Sequence, residues 1–327
     1  MAPAVSVIIP NYNGRPHLPT CLASLRQQRF GDLETILVDD GSGDDSVAWV
    51  REQHPEVHLL ALPHNRGLAT AINRGLRLAS GEGIALLNND TEADPGWLAG
   101  LVEAALEHPE IPAFASKIRL FDRRQLLHSA GDLYGLDGLP RNRGAWEEDR
   151  GQYDGRLEVF GACGGAAYFR RALLEELSEG PGPFDERLFM YLEDVDLAWR
   201  AQLRGHRCRF VPEAIVYHKV SATGGGALAS YYVGRNTLLV LMKDVPGSLL
   251  REHLGTIVRA QLRIAREAGR HIRGKAARAR LRGQVAGLLL LPAWWPARRR
   301  VQAGRTVPLE ELVTHLVSGF ASGGEAD

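Results

Sequence analysis

Several clusters of polar residues have the types and spacing for chemistry, and most stand directly after a short apolar run. Asp39 and Asp40 follow Glu34-Thr-Ile-Leu-Val38 and precede Gly41-Ser42. Asp-Gly-Ser is good turn chemistry, but a turn needs one carboxylate and adjacent carboxylates repel. A second carboxylate there can accept the N–H of a pyrimidine base or hold a ribose hydroxyl. Asn88-Asn89-Asp90 follows Gly83-Ile-Ala-Leu-Leu87. Its carboxylate could ligate Mg2+ or Mn2+, hard ions held by one or two carboxylates together with substrate phosphates. The plainer role is a helix cap for the segment near Pro95, where Asp94 is better placed. Glu193, Asp194 and Asp196 put three acids into four residues. Acids complement the dipole at a helix start, and Asp196 has Arg200 four residues on. A remaining carboxylate is a candidate general base toward an attacking hydroxyl. His218 closes the run Ala214-Ile-Val-Tyr217, although a lone histidine is more often structural than a ligand. Ser221, Thr223 and Gly224-Gly-Gly226 beyond it predict a mobile loop. Arg235 and Asn236 follow, where Arg235 could meet a diphosphate bidentately or form an ordinary surface pair.

The elements that must position these groups follow from periodicity. Buried strands are predicted over 5–9, 34–38, 57–61 and 83–87. Helices are predicted between them: Leu18, Cys21, Leu22 and Leu25 recur at helical spacing, and further helices cover 47–52, 67–79 and 97–107. Repeated βα units predict an α/β fold with a mostly parallel sheet and helices on both faces. Ligands of such sheets bind beyond the carboxyl ends of the strands, where Pro10-Asn-Tyr-Asn13, Asp39–Ser42, His64-Asn-Arg-Gly67 and Asn88–Thr91 all fall. The stretch 120–165 reads as a loop or hairpin insertion over that edge, and 160–168 returns to the sheet. A helix over 185–204, a strand over 206–218 and a helix over 230–243 complete a first domain, 1–245. From about Pro246 the composition shifts to Arg, Ala and Leu, which sets off a basic helical extension, 246–327.

Composition narrows the function. The chain has 327 residues, 45% hydrophobic and 24% charged, enough for a sizeable core and unlike a disordered or collagenous chain. Lys+Arg and Asp+Glu are both 39, yet residues 251–305 hold 14 basic and 2 acidic residues, so a local +12 is balanced by −12 elsewhere. Three widely spread cysteines argue against a disulfide framework and predict a reducing compartment. The sequence shows no basic leader, and its longest apolar run, 285–296, is interrupted by Pro292 and too short to span a bilayer. Neither G-x-G-x-x-G after the first strand nor G-x-x-x-x-G-K-[ST] is present, which argues against a dinucleotide dehydrogenase or a P-loop enzyme. In the extension, Leu288–Leu291 and Trp294-Trp295 lie between Arg280, Arg282 and Arg298-Arg-Arg300. Apolar residues, paired Trp and flanking Arg suit an anionic membrane surface; the scarcity of interleaved aromatics and the lack of a known module argue against nucleic acid.

Taken together, the chain resembles the family 2 glycosyltransferases with the GT-A fold, especially the bacterial rhamnosyltransferase-like branch. The resemblance is carried by Val5-Ser-Val-Ile-Ile-Pro-Asn-Tyr-Asn13, Val38-Asp-Asp-Gly-Ser42, Asn65-Arg-Gly67 with Asn73-Arg-Gly75, Leu87-Asn-Asn-Asp-Thr91, and 189–200 followed by His218; it spans roughly 4–243. It implies that Pro10 and Tyr12 line the nucleotide pocket, that Asp40 meets the pyrimidine, and that Asp39 and Glu34 support that pocket, with Asn65 and Arg66 opening the loop beside it. It implies that Asp90 is the last residue of a metal-binding D-x-D, in which Asn88 and Asn89 replace the usual first two residues. His218 matches a histidine that ligates the metal, Mg2+ or Mn2+, in some relatives. Asp194 matches the catalytic base and Glu193 its neighbour, while 161–166 and Trp199 fall in the acceptor region. The expected reaction is inverting transfer of a sugar, rhamnose by branch, from a dTDP- or UDP-linked donor to a lipid-linked glycan at the inner face of the cytoplasmic membrane. Two other readings remain: a sugar-nucleotide pyrophosphorylase, which would want a Gly-rich basic loop where Asn11-Tyr-Asn-Gly14 stands, and a non-catalytic carbohydrate- or membrane-binding relative, against which Asp194 speaks.

Overall fold

The computed structural model describes residues 2–220 and 226–318; the Gly-rich loop expected over 221–226 lies almost wholly outside the described residues, as does the tail beyond 318. Strands β1 (Val5–Asn11), β2 (Leu33–Asp39), β3 (His58–Ala61) and β4 (Gly83–Leu87) alternate with helices α1 (Leu18–Arg26), α2 (Ser46–Gln53) and α3 (Leu68–Leu76). β1 lies parallel to β2 and to β4, and β2 parallel to β3, as repeated βα units require. β1 is buried on both faces. Its Val7 and Ile9 pack with α1 and with the next helix, α4 (Trp97–Glu107), while Ile8 points through the sheet to Ile72 of α3.

The second half of the sheet is less regular. A short strand β5 (Thr91–Ala93) precedes α4, and β6 (Ala113–Leu120) follows it. The insertion over 120–165 contains β7 (Leu127–Ser129), the hairpin of β8 (Asp132–Gly135) with β9 (Pro140–Asn142), and β10 (Glu158–Val159). β11 (Ala166–Arg170) runs antiparallel between β4 and β6, and α5 (Arg171–Glu176) and α6 (Glu193–Leu203) lead to β12 (Cys208–His218), parallel to β6. The strand order is β10-β12-β6-β11-β4-β1-β2-β3. His218, paired with Leu120 and Thr91, therefore ends at the same edge as Asp39 and Asp90.

One predicted helix is broken. The pattern predicts a helix over 185–204, but the chain makes a single turn at Glu186–Leu188, and α6 begins only at Glu193. Between them Phe189, Tyr191 and Leu192 have φ of 68°, 64° and 64°, a left-handed conformation that L residues adopt at a cost of roughly 1–3 kcal/mol each.

The C-terminal part is helical: α7 (Ala227–Asp244), α8 (Gly247–Glu252), α9 (Leu254–Arg270), α10 (Lys275–Ala303) and α11 (Leu309–Thr314), before a last short strand, β13 (Leu316–Val317), joins β8. The expected division at 245/246 falls between α7 and α8, yet both sides share one core. Trp294, Val301 and Leu312 pack with Leu239 and Val240 of α7, with Trp199 of α6 and with Tyr134. α7 and α10 run in close contact because glycines face the partner backbone: a Cβ on Gly234 would come within 2.7 Å of the Arg280 carbonyl, and one on Gly287 within 2.8 Å of the Arg235 carbonyl. No helix among the described residues is long and apolar enough to cross a membrane.

Candidate active site

The carboxyl ends of β2, β1 and β4 are stitched together by side chains. Asn11 Nδ2 donates to Asp39 Oδ2 at 2.8 Å, and its own Oδ1 accepts from Asn89 Nδ2 at 2.6 Å. Asp39 also accepts from the backbone N–H of Ser42 at 2.9 Å and from its hydroxyl at 2.6 Å. All three side chains are buried, so these bonds replace water that each group would otherwise need. Gly14 passes directly over this lattice, and any β-carbon there would collide with the Asn89 and Asn11 side chains. Asp40 points to the next loop: Oδ1 accepts from the Arg66 N–H at 2.8 Å and Oδ2 from the Gly67 N–H at 2.7 Å. Burial pushes its carboxyl up to about 6 against the pull of those two amides. Pro10 is buried at the end of β1, Asn65 and Arg66 border the loop, and Tyr12 stands 42% exposed at the rim, free to offer a ring face.

Next to this crevice lies a carboxylate–imidazole pair. His218 Nε2 is 3.0 Å from Asp90 Oδ1, and both residues are nearly buried. Burial alone would raise Asp90, but the hydrogen bond and charge of His218 outweigh it and hold the carboxyl below the usual aspartate range. His218 Nδ1 is in turn 3.2 Å from Nδ1 of His128, whose basicity burial and His218 push down to about 3.

The third group is the acid cluster at the start of α6. Asp194 Oδ2 accepts from the Gly164 N–H and Oδ1 from the Val195 N–H, each at 2.8 Å. Burial raises its pKa against both amides. Its neighbour Glu193 is buried with Oε2 unpartnered, and burial, then Asp194, pushes it up to about 8. Asp132 on β8 is raised well above the carboxylate range by burial and by Asp194. Two glycines connect this cluster to the imidazole pair. A Cβ on Gly164 would lie 3.3 Å from Asp194 Oδ2, and one on Gly165 would lie 3.4 Å from Asn88 Nδ2 and 3.8 Å from His218 Cε1. A partly exposed base and a carboxylate–imidazole pair thus face the two sides of one turn, beside a crevice lined for a nucleotide.

Residues 6–178 match the model of glycosyl transferase family 2. The chain belongs to this family. An N-acetylglucosaminyl-diphospho-decaprenol L-rhamnosyltransferase of Mycobacterium tuberculosis is 29% identical over 303 residues, covering 81% of this chain and 96% of that protein. A pre-mycofactocin glycosyltransferase of the same organism is 30% identical over 227 residues, 65% of this chain and 42% of that one. Among solved structures, S. aureus TarS 1-349 superposes with a TM-score of 0.55 at 20% identity, covering 97% of this chain and 83% of that one. A mannosyltransferase from Pyrobaculum calidifontis, solved with GDP-Man and Mn2+, gives 0.53 at 20% identity over 93% and 86%. The fold is that of the GT-A glycosyltransferases, and the chain is a glycosyltransferase that uses a nucleotide-sugar donor.

Within this family 2 enzyme the structure moves three expected residues away from the reacting centre. Glu34 opens β2, five residues before Asp39 and so roughly 16 Å from the crevice edge. There it accepts from Ser6 Oγ at 2.5 Å and from the Ser80 N–H at 2.7 Å, and it pins the far edge of the sheet rather than the nucleotide pocket. Trp199 is fully buried against Tyr134 and Phe160 at ring distances of 4.8 and 5.1 Å; it is a core residue under α6, closed to an acceptor. Arg235 does not reach a diphosphate either. Its Nη2 donates to the carbonyls of Arg187 and Leu188 at 3.0 and 2.7 Å.

That last contact reveals a role the sequence hides. Asn236 Nδ2 lies 3.0, 2.9 and 2.7 Å from the carbonyls of Leu188, Met190 and Tyr191. Arg235 and Asn236 clamp the left-handed segment that delivers Glu193 and Asp194 to the site, which explains why α6 starts late. Asn11, His128, Asp132 and Asn236 were not predicted site residues. The Asn-Tyr-Asn run signalled Asn11; nothing in local spacing signals the other three, because a long-range fold brings them in.

Proposed function

We propose that this enzyme is an inverting transferase in which Asp194 is the general base, moving a sugar from a dTDP- or UDP-linked donor to a hydroxyl of a lipid-linked, cell-surface glycan. The observation that carries the reading is the Gly164–Gly165 turn, with Asp194 on one side and the Asp90–His218 pair on the other. Amides fix both Asp194 oxygens, and the remaining lone pairs are available to take the acceptor hydroxyl proton. As that O–H bond breaks, the oxygen attacks the anomeric carbon from the face opposite the nucleotide, the new C–O bond forms, and the bond to the diphosphate breaks with its electron pair. The environment that raises Asp194 makes it a stronger base once ionised. Tyr12 stacks on the base, Asp40 accepts from it with a lone pair left by the loop amides, and the Asn11–Asp39–Asn89 lattice keeps the crevice in shape.

Asp90 and His218 fit a divalent cation. They converge within one hydrogen bond, Asn88 lies close by, and the described residues contain no cluster of three or more acidic, His or Cys ligands. A two-ligand site suits a hard ion that takes its other ligands from substrate phosphates. Held there, Mg2+ or Mn2+ would supply neutralisation of charge on the leaving diphosphate. Rhamnose and a polyprenyl-diphosphate acceptor are supported by the name of the M. tuberculosis relative, whose whole length is nearly covered.

The same reading places the protein on an anionic membrane face. Leu254, Val258 and Leu262 on α9 recur every fourth residue and are 56%, 45% and 51% exposed; Val285, Leu288, Leu289 and Trp295 on α10 are 56%, 57%, 76% and 52% exposed. The paired tryptophans do not act together: Trp294 is buried beneath the Arg187 guanidinium at 4.1 Å. Calorimetric titration with dTDP, UDP, GDP and NAD, with and without Mn2+, tests the donor; metal-strengthened binding of dTDP or UDP is expected, and binding of none of the four would refute it. Sedimentation with anionic vesicles tests the membrane face. Salt-weakened binding, reduced by Leu288→Glu with Leu289→Glu, is expected, and equal binding by that variant would remove this face from the reading.

A further inference from the structure

We propose that His128, oriented by Asn142, is a positioning residue that sets the tautomer of His218 and thereby tunes the affinity of the Asp90–His218 pair for a divalent cation. The inference rests on the metal reading given above. It starts from a chain of four side chains drawn from four different places. Asn142 on β9 has Nδ2 3.3 Å from His128 Nε2; His128 on β7 has Nδ1 3.2 Å from His218 Nδ1; and His218 at the end of β12 has Nε2 3.0 Å from Asp90 Oδ1.

A neutral imidazole has one donor and one acceptor nitrogen, so the first contact dictates the rest. The Asn142 amide donates to His128 Nε2, which must then be the acceptor, so His128 carries its proton on Nδ1. That N–H donates to His218 Nδ1, so His218 carries its proton on Nε2, where it donates to Asp90. This arrangement satisfies every member of the chain without a cation. It also occupies the His218 nitrogen that would face one.

Cation binding needs the reverse. His218 Nε2 must present a lone pair, so its proton sits on Nδ1 and donates to His128 Nδ1, which becomes the acceptor. His128 then carries its proton on Nε2 and donates to Asn142, whose amide must turn its oxygen inward. No proton is gained or lost along the relay except the one that leaves His218 Nε2 and the one taken up on Asn142's side of His128. An amide that can present either N–H or C=O is the side chain that permits both states. Ligating histidines are commonly oriented in this way by a partner on the other ring nitrogen.

Two substitutions act in opposite directions. Asn142→Asp offers only acceptors and locks the relay in the cation-ready sense. His128→Phe keeps a ring in the core but removes both nitrogens. The full chain is titrated with Mn2+ in the presence of UDP, following free Mn2+ by electron paramagnetic resonance. Tautomers are read separately, without metal, from long-range 15N–1H correlations of the histidine rings. The expected result is a loss of affinity of about 10–100-fold for His128→Phe and a gain for Asn142→Asp. In the metal-free spectra His218 is protonated on Nε2 in the wild type and on Nδ1 in Asn142→Asp. The tautomer readout separates the relay from the simple attraction of an added carboxylate. If the wild type binds Mn2+ and both variants match it, or if Asn142→Asp leaves the His218 tautomer unchanged, the proposal is overturned. If the wild type with UDP binds no Mn2+, the metal reading itself fails, and this inference with it.

Discussion

The two halves of the site treat their carboxylates in opposite ways. On the donor side, Asp39 and Asp90 are buried but fully answered: Asp39 by Asn11 and Ser42, Asp90 by His218. On the acceptor side, Glu193 keeps an unpartnered oxygen, Asp194 has only two backbone amides, and Asp244, at the end of α7, has neither oxygen hydrogen-bonded. Burial raises all three of these acids, whereas Asp90 is held low. A site that binds a charged ligand needs its polar groups pre-placed; a site that moves a proton needs a carboxylate whose charge is under-stabilised. The donor half is therefore built from satisfied hydrogen bonds, and the acceptor half from tension held in place by the surrounding core.

The strongest way to break this division is Asp194→Asn. The change keeps shape and removes basicity, so kcat should fall by about 10²–10⁴-fold. Titration with UDP should give wild-type affinity, because no donor-side residue contacts Asp194 directly. Turnover at the wild-type rate would remove Asp194 as the base. In the wild type, kcat should decline on the acid side as Asp194 is protonated. Because its pKa is raised, that decline should sit above the ordinary aspartate range.

Asn236→Ala comes next. It strips three carbonyls of a buried donor and frees a segment with three left-handed residues. A fall in kcat of roughly tenfold and a loss of about 1–3 kcal/mol in stability are expected, read by steady-state kinetics and urea denaturation. Donor affinity should hold. A variant that lost donor binding and kept kcat would mean that the clamp serves the wrong half.

How legible was all this before folding? The donor half was read well because βα alternation puts strand ends, and the polar residues after them, at one edge. Periodicity cannot show which of those residues are spent on each other, so Glu34 was expected at the pocket although it opens its strand at the opposite edge. The acceptor half was harder. The three acids at 193–196 stood out, but the helix they start was predicted eight residues early. Its true start depends on a side chain more than forty residues downstream, Asn236, and no local pattern carries that information. Trp199 and Trp294 misled for the same reason. A tryptophan in sequence looks alike whether it meets a ligand, a membrane or, as here, a core shared by α6, α7 and α10.

A smaller effect sharpens the donor side. Asn11→Ala removes both links of the lattice, leaving Asp39 with Ser42 alone and Asn89 without its acceptor. The loss corresponds to about 1–2 kcal/mol, or a five- to thirtyfold weaker Kd for UDP. At saturating donor kcat should stay near wild type, and a large kcat defect with normal Kd would show that the two halves are not separable in this way.

The smallest effect concerns stability alone. Asp244 is fully buried beside Lys243, Arg200 and Asp196, and burial followed by Asp196 raises its pKa well above the usual range despite the two cations. For an acid raised on folding, the unfolded chain ionises first. Stability is complete below the unfolded pKa, near the ordinary aspartate value of about 4, and drains away as pH rises toward the folded one. Asp244→Asn keeps the shape and removes the titration. Its Tm should match or slightly trail the wild type near pH 4 and overtake it by pH 7, a gain of about 1–2 kcal/mol, with kcat unchanged. Thermal unfolding across that pH range reads the difference directly. Curves that stay parallel from pH 4 to 8 would mean that Lys243 and Arg200 already hold Asp244 ionised. The acceptor half would then be as well answered as the donor half, and its tension confined to Glu193 and Asp194.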